Sequence, residues 1–577
     1  MPIADRAMPA TSPDPVARRS RPASLPQVRA EHILTIMVGA AVVLAFLVRA
    51  AHVLRWDFPL NDGGMFALMI EEIRHAHYRL PSETAYNFSH IPFAYPPLAL
   101  YAAALVADLT RLGVPDVLRL LPLAVSTVTV LALLRLARGF LNSRLALATA
   151  CVVFAVMPSG FIYLIMGGGL TRSFGFLFAI LAISEMHRLY QTGERRFMLT
   201  ATLAAGGTVL SHLGTVPFLV QSLALLWLFY GRTPRTLLMT VGVLCGAAAV
   251  AAPWWAPVVA THGLAPFIAA QSTGGSILSD PDARRGLLGL LARLGLGSWT
   301  ATSTGEALFP LLGTLGLLGA VVCVVDRQLF LPVWWLTILV FNTRAGLTFA
   351  SVPVAMLAGL GVSRGLIPIL LPHFRRPAQH DVEHSMTSWR TWPSAAWATL
   401  GFIILYASAA SLLEVAAYGS DLRYLSSLLP SERAAMRQAA AMLPPDSRVL
   451  VIPDGEWTVW AVDKSSEWFP VLASRQSVAT VQGSEWLPNG TFARKQNLSK
   501  ALRQCAAGIS DCLDDWSRNA GIAFSHVYIP QPPLPAEEAY RLCCKLLIAS
   551  LRNDSRYTLM YDGPGAMIFA RRDANLH

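Results

Sequence analysis

Charged residues are scarce in this chain of 577 residues, because Asp, Glu, Lys and Arg together make up only 14% of it. Soluble proteins carry about 25%, so there are too few charges to cover the surface of an ordinary cytosolic enzyme. Apolar residues account for 54% of the sequence, and the mean hydropathy is +0.47. This composition excludes disorder over the whole chain. It predicts a polytopic α-helical membrane protein with repeated apolar stretches near the ~20 residues that span a bilayer.

Motifs for two common ligand classes are also missing. The seven cysteines include no CxxC pair, which argues against a zinc site. No glycine-rich fingerprint joins a strand to a helix, as nucleotide binding requires; the glycines at 167–169 lie in an apolar segment, where small residues permit close helix packing. The net charge of +11 arises largely from arginine clusters between apolar segments, as in cytoplasmic loops. Nucleic acid is therefore not expected as a partner.

The order of polar and apolar segments divides the chain into three parts. Residues 1–31, rich in Pro and Arg, predict a disordered basic cytoplasmic tail. Residues 32–417 predict a transmembrane domain with a first span at 33–53 and outer loops at 54–91 and 259–305. Residues 418–577 predict a soluble extracytoplasmic α/β domain, since short β-rich runs alternate there with helical stretches.

The number of spans is less well defined by charge. If 33–53 crosses outward, then 93–110 and 117–137 cannot both be full crossings while the cluster Arg135, Arg138 and Arg144 stays inside. Either one of the two segments is re-entrant, or the cluster faces outward and 144–167 contains a break at Pro158. The sequence therefore predicts 11–13 spans.

Four cysteines, Cys505, Cys512, Cys543 and Cys544, lie in the predicted extracytoplasmic domain, where the compartment is oxidising. Cys505 and Cys512 share a face of a predicted helix at 498–516, and the other two lie on the next predicted helix, at 536–551. We predict two disulfides, each joining the first helix to the second, with either of the two such connectivities allowed.

One loop sequence suggests chemistry. The stretch WDFPLNDGGMF at 56–66 carries two carboxylates, Asp57 and Asp62, soon after the first span. A carboxylate at the membrane surface can act as general base towards an attacking hydroxyl. The alternative is that Asn-Asp-Gly-Gly forms only a turn. The residues that follow have the helical spacing of an amphipathic helix at the interface, over 64–77.

A second stretch, NFSHIPFAYPPL at 87–98, opens the next span. Together the two stretches resemble the GT-C superfamily of membrane glycosyltransferases, and in particular the branch of protein O-mannosyltransferases and lipid A aminoarabinose transferases. That family has an acidic motif in its first outer loop, a proline-containing motif opening the next span, and polyprenyl-phosphate sugars as donors. The resemblance covers residues 33–365 and implies a GT-C fold.

The resemblance implies roles for individual residues. Asp62 matches the acidic motif and is expected to be the catalytic base. Gly63 stands where the family often has a second carboxylate, so a metal is not supported. His212 and Arg344, at predicted outer turns, and Arg172, within apolar sequence, are expected to bind the donor phosphate. Interfacial capping, headgroup anchoring and snorkelling are the alternatives for these three.

Further residues are assigned to substrate binding: Asp57, His90, Tyr95, Trp468, Glu485 and Trp486. Aromatic and acidic side chains in the last domain suit sugar stacking and hydroxyl contacts, although ordinary packing explains them equally. His75 and His77 point apart on a helix. No cofactor is therefore expected, and no metal site.

These observations predict an inverting glycosyltransferase of the bacterial inner membrane. It would move a sugar from a polyprenyl-phosphate donor to an acceptor hydroxyl on the outer face, with membrane lipids around it and a glycan, lipid or protein as acceptor. The alternative is a transporter or flippase for a lipid-linked sugar, which favours broken helices and charges at mid-membrane. The glycines at 167–169 with Arg172 suit that alternative, whereas the long acidic loop and the soluble domain favour an enzyme.

Overall fold

The computed structural model describes residues 25–273, 304–306, 309–342, 345–370, 394–421, 425–453, 460–531 and 543–572. Helices dominate as far as residue 421, and a mixed sheet with flanking helices follows. The predicted fold class, a polytopic helical membrane protein with a C-terminal α/β domain, is confirmed. Residues 1–24 of the predicted tail and most of the predicted loop 259–305 lie outside the described residues. The predicted domain boundary at 417–418 falls within a helix, Ser394–Asp421.

The described helices of the membrane domain are α1 Leu25–Val53, α2 Gly64–His75, α3 Leu98–Thr110, α4 Val114–Ala137, α5 Arg144–Val156, α6 Gly169–Thr192, α7 Arg195–Ser211, α8 Val216–Leu226, α9 Pro234–Val250, α10 Ala252–His262, α11 Ala265–Gln271, α12 Leu311–Val325, α13 Phe330–Phe341, α14 Gly346–Leu360, α15 Ile367–Leu370 and α16 Ser394–Asp421. Between α1 and α3 the short strands β1 Glu83–Thr84 and β2 Ile91–Pro92 pair antiparallel. Helix α6 packs against α4 and α7, and α1 packs against α5.

Five helical segments in the described part of the chain are long and apolar enough to cross a membrane: Leu34–Val53, Val114–Ala137, Gly169–Thr192, Leu213–Gly231 and Gly346–Leu370. Two bent pairs of helices raise this number to seven if each pair is one span. Four shorter apolar helices of 10–17 residues, α3, α12, α13 and the 401–413 part of α16, fall short of that length. The predicted 11–13 spans counted such segments as full crossings, although a straight helix needs about 20 residues.

A break at Pro158, one of the two alternatives for this segment, is present. Helix α5 ends at Val156, and the 3₁₀ turns that follow it turn away by 78°. Proline has no N–H to continue the helical ladder, so carbonyl groups at the end of α5 need other donors. The buried Arg49 Nη1 donates to Ala155 O at 2.6 Å. The segment after this break leads directly to the glycines at 167–169.

Helix α2 differs from its predicted setting. Its apolar side chains, among them Met65, Met69, Ile70 and Ile73, are buried. They pack against α3 and against a helix of the C-terminal domain, Lys464–Leu472. The amphipathic pattern is therefore explained by contacts with protein rather than with lipid, and the position of α2 relative to the interface stays a prediction.

The C-terminal domain contains the helices α17 Pro430–Met442, α18 Lys464–Leu472, α19 Thr491–Cys505, α20 Ser510–Ala520 and α21 Lys545–Asn553, and the strands β3 Arg448–Val451, β4 Gln476–Ser477, β5 His526–Gln531, β6 Tyr557–Gly563 and β7 Gly565–Arg571. The sheet order is β4-β3-β5-β7-β6. Strand β3 runs parallel to β4 and β5, whereas β7 is antiparallel to β5 and β6. Strands β3, β5, β6 and β7 match β-rich runs of the sequence, at 448–452, 524–529, 557–561 and 566–570. Strand β4 shares only Ser477 with the remaining run, 477–481.

A shared hydrophobic cluster joins the first loop (residues 54–91) to the C-terminal domain. Phe58 and Met65 of the loop region are buried together with Trp468 and Trp486 of the domain. The backbone adds to this junction, because Asn61 N donates to Ser426 O at 2.7 Å. The two parts of the chain therefore form one packed surface around Asp62.

The disulfides differ from the predicted pairing. Cys505 bonds to Cys512, with 5.5 Å between their Cα atoms, and Cys543 bonds to Cys544. The predicted helix 498–516 is in fact two helices: α19 ends at Cys505, and the chain turns at Gly508, whose N–H donates to Cys505 O at 3.0 Å. This turn brings Cys512 back to Cys505. The prediction that each bridge joins the two helices is therefore wrong, and residues 536–542 of the second predicted helix lie outside the described residues.

Candidate active site at the junction of the two domains

The Asp62 loop is a tight turn with two residues in the left-handed region. Asn61 has φ +54° and Gly63 has φ +120°, a conformation that favours glycine at the second position. The loop lies against the glycines at 167–169, and Gly167 N donates to Leu60 O at 3.0 Å. A Cβ atom on Gly167 would stand only 1.9 Å from Asp62 O. The absence of side chains at 167–169 therefore leaves room for the Asp62 loop. The predicted role of these glycines in packing one helix on another is wrong.

The carboxylate of Asp62 has two partners at the start of α6. Its Oδ1 accepts from Gly168 N at 2.8 Å, and its Oδ2 accepts from Arg172 Nη2 at 3.0 Å. The helix N-terminus and the guanidinium thus each donate to one oxygen of the carboxylate. The Asp62 side chain remains 17% exposed and that of Arg172 33%, so both can be reached by a substrate. The structure thus brings together the predicted base and one predicted phosphate ligand.

Helix α18 of the C-terminal domain supports the loop from the other side. Glu467 Oε1 accepts from Gly63 N at 2.8 Å and from Gly64 N at 3.0 Å. Trp468 Nε1 donates to Asn61 O at 3.2 Å. Burial, together with the neighbouring charge of Asp62, raises the pKa of Glu467. Glu467 was not predicted from the sequence. The signal that could have identified it is its position next to Trp468, which was already a candidate.

Trp468 has a different setting from the predicted one. Its side chain is buried, and its ring lies 4.5 Å from that of Phe58, measured between centroids. A sugar cannot stack on a ring covered in this way. Trp468 instead holds the loop that carries Asp62, so the predicted contact with substrate is wrong for this residue.

Tyr95 lies beside the start of α6. Its hydroxyl is 3.0 Å from Thr171 Oγ1, next to Arg172 in the chain, and its ring packs edge-on against Trp486 at 5.5 Å. The charge of Glu485 acts on both Tyr95 and Glu467. Tyr95 therefore lies between Thr171, which precedes Arg172, and Trp486, which is 6% exposed, and the contact of Tyr95, Glu485 and Trp486 with substrate stays a prediction.

His212 lies on the same face of α6 as Arg172. It follows the last residue of α7, and its Nδ1 is 2.9 Å from Thr215 Oγ1. A Cβ atom on Gly175, one helical turn after Arg172, would stand 2.8 Å from His212 Cβ. This places His212 one turn along α6 from the Asp62 partner. The other predicted phosphate ligand, Arg344, lies outside the described residues, and its role stays a prediction.

Two predicted substrate residues face elsewhere. Asp57 is 62% exposed and forms an ion pair with Arg433 of α17. His90 is 87% exposed, with its Nδ1 3.2 Å from Glu83 Oε2. In the described part of the chain, neither residue forms a hydrogen bond or an ion pair with Asp62, so the structure does not place them with the base.

The described residues include no group of three or more His, Cys, Asp or Glu side chains arranged to hold a metal ion. Both oxygens of Asp62 accept hydrogen bonds, one of them from a guanidinium, which is an unfavourable neighbour for a cation. The donor set at Asp62 therefore does not fit a metal.

No protein-family model and no curated protein matches this sequence. Among solved structures, the chain is similar to the archaeal oligosaccharyltransferase AglB from Archaeoglobus fulgidus in complex with an inhibitory peptide and a dolichol-phosphate. The TM-score is 0.51 at 14% identity, over 94% of this chain and 75% of that chain. It is also similar to arabinofuranosyltransferase AftD from Mycobacteria, with a TM-score of 0.55 at 16% identity, over 94% of this chain but only 40% of that chain.

A third solved structure, ArnT from Cupriavidus metallidurans bound to undecaprenyl phosphate, matches 94% of this chain at 15% identity with a lower TM-score of 0.45. At identities of 14–16% the likeness to AglB and AftD concerns the fold. That fold is the one implied by the resemblance of the two loop motifs. The chain has the GT-C fold of membrane glycosyltransferases.

Proposed function

We propose that this protein is an inverting glycosyltransferase that moves a sugar from a polyprenyl-phosphate donor to an acceptor hydroxyl. The observation that carries the proposal is the pair formed by Asp62 and Arg172 at the N-terminus of α6, where the membrane domain meets the C-terminal domain. A base and a cation in contact are what such a transfer needs. By analogy with the fold, the reaction takes place on the outer face of the bacterial inner membrane.

Asp62 acts as the general base. It takes the proton of the acceptor hydroxyl while the hydroxyl oxygen forms a bond to the anomeric carbon. The bond from that carbon to the phosphate oxygen breaks, and the electron pair leaves with the polyprenyl phosphate. Because attack and departure occur on opposite faces of the sugar, the anomeric configuration inverts.

Arg172 stabilises the phosphate that leaves. It uses Nη2 on Asp62 and Nη1 on Tyr163 O, at 3.0 Å and 3.3 Å. A guanidinium has five N–H donors, which leaves donors for phosphate oxygens. His212, one turn further along α6, and Arg344, at the predicted outer turn before α14, complete the phosphate site in this proposal.

The groups that contact the sugar or the acceptor in this proposal are Tyr95, whose hydroxyl lies 3.0 Å from Thr171 Oγ1, and Glu485. Trp486 is 6% exposed and packs against Tyr95, so it supports the site rather than contacting the substrate. No metal is included, because the donor set at Asp62 does not fit one. The alternative function, a transporter or flippase for lipid-linked sugar, rested on the glycines at 167–169. Their contact with the Asp62 loop gives them another role.

The test is to incubate the purified protein, in detergent or nanodiscs, with polyprenyl-phosphate sugars and candidate acceptors. Release of free polyprenyl phosphate, with the sugar recovered on the acceptor in inverted configuration, supports the proposal. Movement of intact donor across a vesicle bilayer, without cleavage in any donor and acceptor combination, would favour the transporter instead.

A further inference from the structure

We propose that Glu467 is a positioning residue that fixes the catalytic loop from the C-terminal domain. The inference rests on the proposed function, in which Asp62 is the base. It concerns a residue of α18 that touches neither the acceptor nor the donor and acts through the backbone that follows Asp62.

One oxygen atom of Glu467 accepts hydrogen bonds from two consecutive backbone amides. Gly63 N and Gly64 N, at 2.8 Å and 3.0 Å, stand at the N-terminus of α2, where the helix has unpaired N–H groups. The backbones of Gly64 and Glu467 also lie close together, because a Cβ atom on Gly64 would stand 2.7 Å from Glu467 O. Tyr86 secures that same carbonyl, with its hydroxyl donating at 2.7 Å. Glu467 is therefore held from several sides and is 6% exposed.

A carboxyl group in this place is costly. It is removed from water, and it lies near the carboxylate of Asp62, whose charge opposes its own. Ordinary packing would be served better by an apolar side chain of similar volume. The carboxyl group supplies a hydrogen-bond acceptor on a side chain long enough to bind the backbone amides of both Gly63 and Gly64.

These bonds act on the orientation of Asp62. On one side its carboxylate is fixed by Gly168 N and Arg172. On the other side the next peptide is fixed by Glu467. Gly63, with φ +120°, gives the backbone between these two points unusual freedom. Without the acceptor, the peptide that follows Asp62 loses its support from the C-terminal domain, and an error of about 1 Å at a reacting group can reduce the rate ~10²-fold.

The experiment compares Glu467→Ala and Glu467→Gln in the full-length protein. The alanine variant removes the acceptor, so we expect kcat for sugar transfer to fall by ~10- to 100-fold, with donor KM and binding of polyprenyl phosphate within about twofold of wild type. The glutamine variant keeps an oxygen acceptor in the same place, so most of kcat is expected to return. Loss of fold alone would move Tm, KM and kcat together and would not be rescued in this way.

Glu432→Gln is the matched control. Glu432 is also a buried glutamate of the C-terminal domain, and its Oε2 accepts from a helix-terminal amide, that of Leu429, at 2.7 Å. If Glu467→Ala has the kcat of this control while Asp62→Asn is inactive, the positioning role is overturned and the proposed function stands. If Asp62→Asn itself keeps full turnover, the proposed function fails. Should Glu467→Ala not fold, Glu467→Asp, one methylene shorter, decides: a lower kcat at unchanged donor affinity supports positioning, and a wild-type kcat refutes it.

Discussion

Arg172 Nη2 and Asp62 Oδ2 are 3.0 Å apart, although 110 positions separate the two residues in the sequence. In the proposed reaction one partner receives a proton and the other receives a phosphate. The contact makes these two roles interdependent. A donor phosphate that draws Arg172 towards itself also weakens the contact of Arg172 with Asp62, which frees Oδ2 to accept the proton of the acceptor hydroxyl.

Asp62→Asn is expected to fold but to lose turnover by ~10²- to 10⁴-fold, the usual contribution of a positioned base. Its amide still fills the space but takes up no proton. Asp57→Asn is the matched control, because Asp57 pairs with Arg433 instead. Release of polyprenyl phosphate measures both. Equal rates for Asp62→Asn and wild type would contradict the assignment.

Arg172→Lys keeps the positive charge but loses the planar fork of the guanidinium. We expect weaker donor binding, by about tenfold, since a single ammonium cannot serve Asp62 and a phosphate at the same time. Titration of the purified variant with polyprenyl phosphate tests this, with Arg433→Lys as a control on a cation of the C-terminal domain. Unchanged affinity in Arg172→Lys would exclude Arg172 from the phosphate site.

Gly167→Ala is expected to displace the Asp62 loop, because the new methyl group would stand 1.9 Å from a backbone oxygen that cannot swing away. Activity and Tm are both expected to fall. Gly401→Ala is the control, since a Cβ atom there meets nothing within 4 Å. A fully active Gly167→Ala protein would show that the loop does not need this close approach.

The stability of the protein is expected to depend on pH through Glu467. Burial and the charge of Asp62 raise its pKa above the ordinary 4.5, and Glu485, Arg172 and Tyr86 are the other titratable or charged groups that act on it. When folding raises the pKa of a group, that group contributes its full stabilisation at pH values below its pKa in the unfolded chain. This contribution is lost as the pH rises through the pKa of the group in the folded protein. Tm should therefore decline as the pH rises from 4.5, and should decline less in Glu467→Gln. If Tm declined equally with pH in the wild type and in Glu467→Gln, the pH dependence would not arise from Glu467.

Peptide mapping of the non-reduced protein is expected to find Cys505 joined to Cys512. The loop they close is short, so the bridge contributes only ~2–3 kcal/mol in the chain-entropy account. Cys505→Ser should lower Tm without changing donor affinity, because the bridge is remote from the Asp62 site in the fold. Free thiols at both positions would contradict the bridge and also the predicted extracytoplasmic placement of the domain.

Composition and periodicity were sufficient to predict the fold class and four of the five strands of the C-terminal domain. Both signals are local: apolar runs predict membrane helices, and β-rich runs between turns predict strands. The break at Pro158 was only one of two alternatives, because it was inferred from the side of the membrane on which an arginine cluster lies. The number of spans was harder to predict, because a run of apolar residues does not show whether its helix is 13 or 24 residues long.

The site was predicted only in part. Asp62 and Arg172 were identified singly, one from a motif and one from its apolar surroundings, but nothing local shows that they form a pair. Glu467 was missed because its partners are backbone amides, which every residue possesses. The predicted cysteine pairing was wrong because the chain turns at Gly508. This turn interrupts a segment whose sequence pattern is that of one continuous helix.

Gly63 and Glu467 are 404 positions apart, which has a consequence for the newborn chain. At 5–20 residues per second, about 20–80 s of synthesis separate the catalytic loop from the glutamate that supports it. A nascent chain, or one truncated by a premature stop codon, would therefore carry the base without the support. If the positioning role holds, full turnover begins only after Glu467 has been synthesised and folded into place, and unfinished copies consume little of the lipid-linked sugar donor.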